Sequence, residues 1–319
     1  MEPPTQPSTS VGHTYPVIMW QILIYTTMAT KLGKFESKQP IQGIPIASTI
    51  ISKNPISWSE DNKISVTTTH GVCIFDLIMG PYGNQAGLPF DRVYILPPKS
   101  QNPYILSGEK LQSLLKTVAT DECHKFTLDA TLTAAHRAKI EIVNSRPNKN
   151  GIGYTLGVDM NHLAYSKVAW SYKGATQRDE CILCLVTFDH QITIVGKVGS
   201  RWITLCDLTS LWANYITYQG RTIYDEYQNS IGETEFHKFL AKTQIQGVAA
   251  VLWTPFERNS DGEKDCILLL ATTSSHLVLV RIPQYIFDHE FTPHIMECFP
   301  LNSSGKILAL EWIRLSSNG

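Results

Sequence analysis

Basic excess is missing from this chain. Its 27 Lys and Arg stand against 28 Asp and Glu among 319 residues, a formal charge of −1. Without a positive field there is no general grip on a phosphate backbone, so any contact with DNA is expected to be indirect. The sequence also lacks a Gly-rich phosphate loop, a GxSxG elbow and an HExxH pair, which leaves nucleotide-cradling, nucleophile-elbow and zinc-protease chemistry without support. Long apolar runs are scarce. Val17 to Tyr25 is too short to span a bilayer, Gln21 interrupts it, and with Glu2 the only charge before it the run makes a poor signal peptide as well. It reads as a strand or an apolar N-terminal segment.

Cysteine is present but not in a disulfide or zinc pattern. The seven cysteines are an odd number and mostly sit inside apolar runs, Cys181, Cys184 and Cys266 among them, which points to reduced thiols packed as small hydrophobes. Hydrophobic residues make up 43% of the chain, ample for a core. The exception is Met1 to about Pro16, rich in Pro, Ser and Thr without apolar periodicity, which reads as a disordered leader.

A recurring unit organises the rest. Its first copy runs Pro55-Ile-Ser-Trp58-Ser, Lys63 to Thr69, Gly71 to Leu77 and Arg92 to Leu96. The second runs Lys167-Val-Ala-Trp170-Ser, Cys181 to Thr187, Gln191 to Val195 and Trp202 to Leu208. In the third come Ala249 to Trp253-Thr, Cys266 to Thr272, Leu277 to Ile282 and His294 to Phe299; Lys306 to Trp312 opens a fourth. Four short β-branched or aromatic runs separated by turn residues such as Glu60-Asp61-Asn62 are the pattern of a propeller blade. Cys181 to Val186 and Cys266 to Ala271 are almost continuously apolar, as strands covered on both faces must be. Trp58, Trp170, Trp253 and Trp312 mark the repeat, and the expectation for them is packing between blades rather than ligand binding.

Spacing between copies is wide: 112 residues separate Trp58 from Trp170 and 83 separate Trp170 from Trp253, where an ordinary blade takes roughly 40–45. Helical insertions account for the excess. Leu111, Leu114, Leu115 and Val118 share a helix face within Glu109 to Ala119, with Ser107 as cap, and Phe236, Phe239 and Leu240 do so within Glu233 to Lys242. Either helix can cover a blade edge or present an apolar stripe to a partner.

The expected fold is therefore all-β, a WD-type β-propeller that is incomplete, with about three blades plus the first strand of a fourth and short helical insertions. A leader and apolar segment occupy 1–43. Blade one takes about 44–100, an insertion 101–160, blade two 161–210, a second insertion 211–245, blade three 246–300, and the start of blade four 301–319. Open blade edges carry unpaired backbone groups, so truncation, an alternative form or closure by a partner is expected.

The words of the repeat also carry a resemblance. Pro55-Ile-Ser-Trp58-Ser-Glu60-Asp61-Asn-Lys-Ile-Ser-Val66, Tyr165-Ser-Lys-Val-Ala-Trp170-Ser, the Leu183 to Ile194 strand pair, Trp202 with Asp207-Leu208-Thr209, and Glu235-Phe236 leading into Trp253 resemble the ninety-kilodalton subunit family of general transcription factor IIIC. The likeness spans about Ile44 to Ile282. It implies an N-terminal WD-type propeller whose family continues into a zinc-binding region, for which this sequence has no paired CxxC units. It further implies a nuclear, non-catalytic scaffold that supports RNA polymerase III initiation, with other factor IIIC subunits and the polymerase III machinery as partners and no membrane. Alternatives are the histone acetyltransferase activity assigned to the family, with acetyl-CoA as cofactor, and a propeller scaffold of an unrelated complex.

Residue chemistry favours no catalytic, cofactor or metal site. Arg146-Pro-Asn-Lys-Asn-Gly151-Ile-Gly153 is the nearest approach to an acetyl-CoA loop, but its Arg is too far from the first Gly and Asn-Gly reads as a turn. Cys181 and Cys184 form a lone CxxC whose side chains would face opposite ways in a strand. Asp288, His289, His294 and Cys298 match no zinc spacing. Arg137, Lys139, Arg146 and Lys149 interleave with Asp121, Glu122, Asp129 and Glu141, the mark of a solvated loop.

Overall fold

The structure, a computed structural model, describes residues 55–68, 70–77, 90–99, 102–104, 164–260, 262–301, 307 and 309–313. All lie in the unit Pro40–Gly319. The leader, Val17 to Tyr25, the helix expected over Glu109 to Ala119, the Arg146 to Gly153 stretch and the basic cluster around Arg137 fall outside the described residues.

Three antiparallel sheets follow one another along the chain. The first is β1 (Ile56–Trp58), β2 (Lys63–Thr68), β3 (Gly71–Leu77) and β4 (Phe90–Ile95), paired in that order. Next come β5 (Tyr165–Trp170), β6 (Leu183–Thr187), β7 (Ile192–Val198) and β8 (Arg201–Asp207), again in chain order. The third sheet has β9 (Val248–Trp253), β11 (Lys264–Thr272), β12 (His276–Pro283) and β13 (His294–Pro300), with the two-residue β10 (Glu257–Arg258) sharing β11 with β9.

Alternation along β6 shows why its sequence is apolar throughout. Leu183 and Leu185 point toward the first sheet, into a core with Val72, Ile74, Trp170 and Val195. Ile182, Cys184 and Val186 point the other way, into a core with Trp253, Leu268, Leu270, Val280 and Ile282 of the third sheet. Both faces are dry, and each fully buried aliphatic side chain there contributes about 1.5–3 kcal/mol.

Three helices join β8 to β9: α1 (Leu208–Tyr218), α2 (Arg221–Ile231) and α3 (Glu235–Gln246). Asp207 starts α1 by accepting the Thr209 N–H, and Thr234 starts α3 by accepting the His237 N–H. Phe236, Phe239 and Leu240 are buried, so the face read from the sequence is the packed one. Trp212 of α1 stacks on Tyr215 and donates its indole N–H to the Ile245 carbonyl at 3.2 Å, fastening α1 to the end of α3.

One expectation needs correction. The described residues of the Lys306 to Trp312 run form no strand, because no neighbouring strand pairs with them. Ile307 and Leu310 instead lie against Leu269, Ala271 and Leu277 on the far face of the third sheet.

Candidate assembly interface

The first strand of each sheet ends on a Trp followed by a hydroxyl residue. Ser59 Oγ accepts the Lys63 N–H at 2.8 Å, Ser171 Oγ the Ile182 N–H at 2.9 Å and Thr254 Oγ1 the Ile267 N–H at 2.8 Å. The hydroxyl thereby closes the turn between the first two strands and sets the Trp at the end of its strand.

Two of these Trp side chains then bond the preceding sheet. Trp253 donates to the Ala169 carbonyl, the residue just before Trp170, at 3.0 Å. Trp170 donates to Ser65 Oγ at 3.0 Å, and Ser65 donates in turn to the Ser57 carbonyl, the residue just before Trp58, at 3.3 Å. The same carbonyl position is reached at both junctions, directly in one and through a hydroxyl in the other. Trp253 is 2% exposed and Trp170 9%, with Trp202 packed edge-on against Trp170. Packing between sheets fails at Trp58, which is 66% exposed because no described sheet precedes it. Trp312 is half-buried beyond the third sheet.

The Glu60-Asp61-Asn62 turn clasps the second sheet. Glu60 Oε2 accepts the Lys173 N–H at 2.8 Å and Asp61 Oδ2 the Cys181 N–H at 3.0 Å. Burial alone would raise the Asp61 pKa, but hydrogen bonds from Lys63 Nζ, Ser59 Oγ and the Cys181 N–H outweigh it and hold the carboxyl below its usual range. Lys197 pairs with Asp76 at 2.6 Å across the same junction. Between the second and third sheets, Gln284 donates to the Gly174 and Thr176 carbonyls at 2.8 and 3.0 Å, and the Tyr285 N–H bonds the Ala175 carbonyl at 2.7 Å.

The ends of β1, β5 and β9 bound an open cleft of about 320 Å³. Trp58, Glu60, Tyr172 and Trp253 line it.

The residues weighed for metal chemistry are dispersed. Cys181 faces the first sheet and Cys184 the third, and burial pushes both thiols up to about 12. Cys298 is buried in β13 and packed into the core shared by the second and third sheets, while His294 at the start of that strand is exposed, and Asp288 and His289 occupy the turn before it. Among the described residues no group of three or more potential metal ligands comes together.

Comparison with known proteins bears on the same architecture. The model of the transcription factor IIIC subunit delta β-propeller domain matches residues 58–317, beginning at the first repeat Trp. The chain belongs to this family. General transcription factor 3C polypeptide 4 of Homo sapiens is 22% identical over 208 residues, which cover 63% of this chain and 23% of that protein. The Mus musculus protein of the same name matches to the same extent. The match thus spans less than a quarter of the length of these relatives. The three antiparallel sheets fall within the stretch that this β-propeller domain matches, and a closed ring is not among the described residues. No helix among the described residues is long and apolar enough to cross a membrane.

Proposed function

We propose that the chain is a non-catalytic scaffold subunit of a factor IIIC-like complex, supporting RNA polymerase III initiation in the nucleus through protein–protein contacts. The family match over 58–317 carries this reading. In it, the chain corresponds to the N-terminal WD-type propeller region of the ninety-kilodalton subunit: blades at about 44–100, 161–210 and 246–300, and insertions at 101–160 and 211–245. Other factor IIIC subunits and the polymerase III machinery are its partners. With a net charge of −1 its role on DNA is indirect.

Affinity purification of the tagged full chain from nuclear extract tests the proposal. Co-purification of factor IIIC subunits in stoichiometric amount is expected, and a complex recovered intact without any of them would overturn it.

A further inference from the structure

The repeat leaves its first Trp unlike the others. Trp170 and Trp253 are buried and spend their indole N–H groups on the preceding sheet. Trp58 carries the same Trp-Ser pairing, yet it is exposed, and among the described residues no acceptor meets its indole N–H. Its ring lines the cleft at the ends of β1, β5 and β9 together with Tyr172 and Trp253. Among the described residues of that lining Glu60 is the only charged one. One of its oxygens is held by the Lys173 N–H, which orients the carboxylate while leaving the other oxygen available.

We infer that this cleft receives one cationic side chain, arginine or lysine, presented on an extended basic segment of a partner protein. An aromatic face attracts a cation through its quadrupole. A neighbouring carboxylate adds a charge-assisted hydrogen bond. The cleft lies at the small end of ligand sites, roughly 300–1,000 Å³, which suits a single side chain rather than a nucleotide. Its one charge repels phosphate, so nucleic acid is the wrong occupant. Among the described strands β1, β5 and β9 each pair on one side only, leaving main-chain groups other than the Ser57 and Ala169 carbonyls for an extended peptide to bond.

The inference holds whichever assembly the chain enters, and its test needs no factor IIIC subunit, so its failure and that of the purification experiment are separate. Fluorescein-labelled Gly-Ser peptides bearing one arginine, one lysine or one glutamine at the central position are titrated into the full chain and followed by anisotropy. The arginine or the lysine peptide is expected to bind saturably, and at least ten-fold more tightly than the glutamine peptide. Glu60→Gln, which keeps an acceptor for Lys173, and Trp58→Ala, at an exposed position, are each expected to weaken that binding at least ten-fold with an unchanged melting temperature. Equal binding of the glutamine peptide, no saturable binding of either cationic peptide, or full binding by both variants would overturn the assignment.

Discussion

The indole N–H of Trp253 donates to the carbonyl oxygen of Ala169, 84 positions earlier in the chain, at 3.0 Å. The indole is buried and Ala169 half-buried, so removing the donor leaves the acceptor only partly served by water as well as deleting a contact. Trp253→Phe keeps most of the ring volume and is expected to cost about 1–2 kcal/mol in urea unfolding. Trp253→Ala is expected to cost about 3–5 kcal/mol, since it also opens a cavity between two sheets. Equal losses for the two variants would show that the hydrogen bond, not the ring, carries the junction.

Trp58 supplies the control. Although it closes the same strand of its own sheet, its ring is exposed, so Trp58→Ala is expected to shift stability by less than about 0.5 kcal/mol. A loss approaching that of Trp253→Ala would mean that its ring is packed in solution.

The hydroxyl after each Trp gives a third prediction. In Ser171→Ala the Ile182 N–H loses its side-chain acceptor at a position where Ile182 is wholly buried. A cost of about 1–3 kcal/mol is expected, measured by thermal or denaturant unfolding. Ser171→Thr, which restores the acceptor and matches the residue at 254, should recover most of it.

Gly71 stands where β3 begins, with φ +156°, and a Cβ there would lie 2.4 Å from the Ile95 carbonyl oxygen. Because the obstacle is backbone, it cannot turn aside as a side chain would. Gly71→Ala is expected to prise β4 from the N-terminal end of β3 and to raise amide exchange at Val72 and Ile95, the paired residues next to it. Unchanged exchange there would refute the steric reading.

His276 predicts a pH dependence. Burial lowers its pKa, and the bond with the Ser274 carbonyl only partly offsets this; Ser274 Oγ, Thr272 and the edge-on Tyr227 ring surround it. The unfolded chain takes up this proton near pH ~6.5, whereas the folded site resists it. Its contribution to stability is therefore complete above that value and is lost as pH falls toward the folded pKa. The melting temperature should decline on acidification below about pH 6.5, and His276→Gln should decline less steeply. Parallel profiles for the two proteins would exclude His276 as the source.

Much of this was legible in the amino-acid order, and the parts that were not share a cause. The runs around Leu183 and Leu268 could be read because two dry faces leave no polar position to hide the strand. Helix α3 could be read because Phe236, Phe239 and Leu240 share one buried face. Helix α1 was hidden because Trp202 to Leu208 continues as an apolar run into it, so the boundary rests on the cap at Asp207. Helix α2 buries no residue fully, yet Ile223, Tyr224 and Tyr227 recur at helical spacing and pack against the core, so its signal is present in the sequence but confined to eleven residues. At the candidate interface, the Trp-Ser and Trp-Thr pairs were visible as words. That Ser65 carries the bond from Trp170 onward to Ser57 depends on two sheets meeting, which local pattern does not encode.

The junction bond is one-way: the later sheet donates the hydrogen bond and the earlier one accepts it. A contact of this kind has no two-fold counterpart, so it propagates by repeating one rotation and cannot pair two identical surfaces face to face. Curvature is consequently set junction by junction. An error of a few degrees at Trp170 would be inherited by every strand that follows it in the chain.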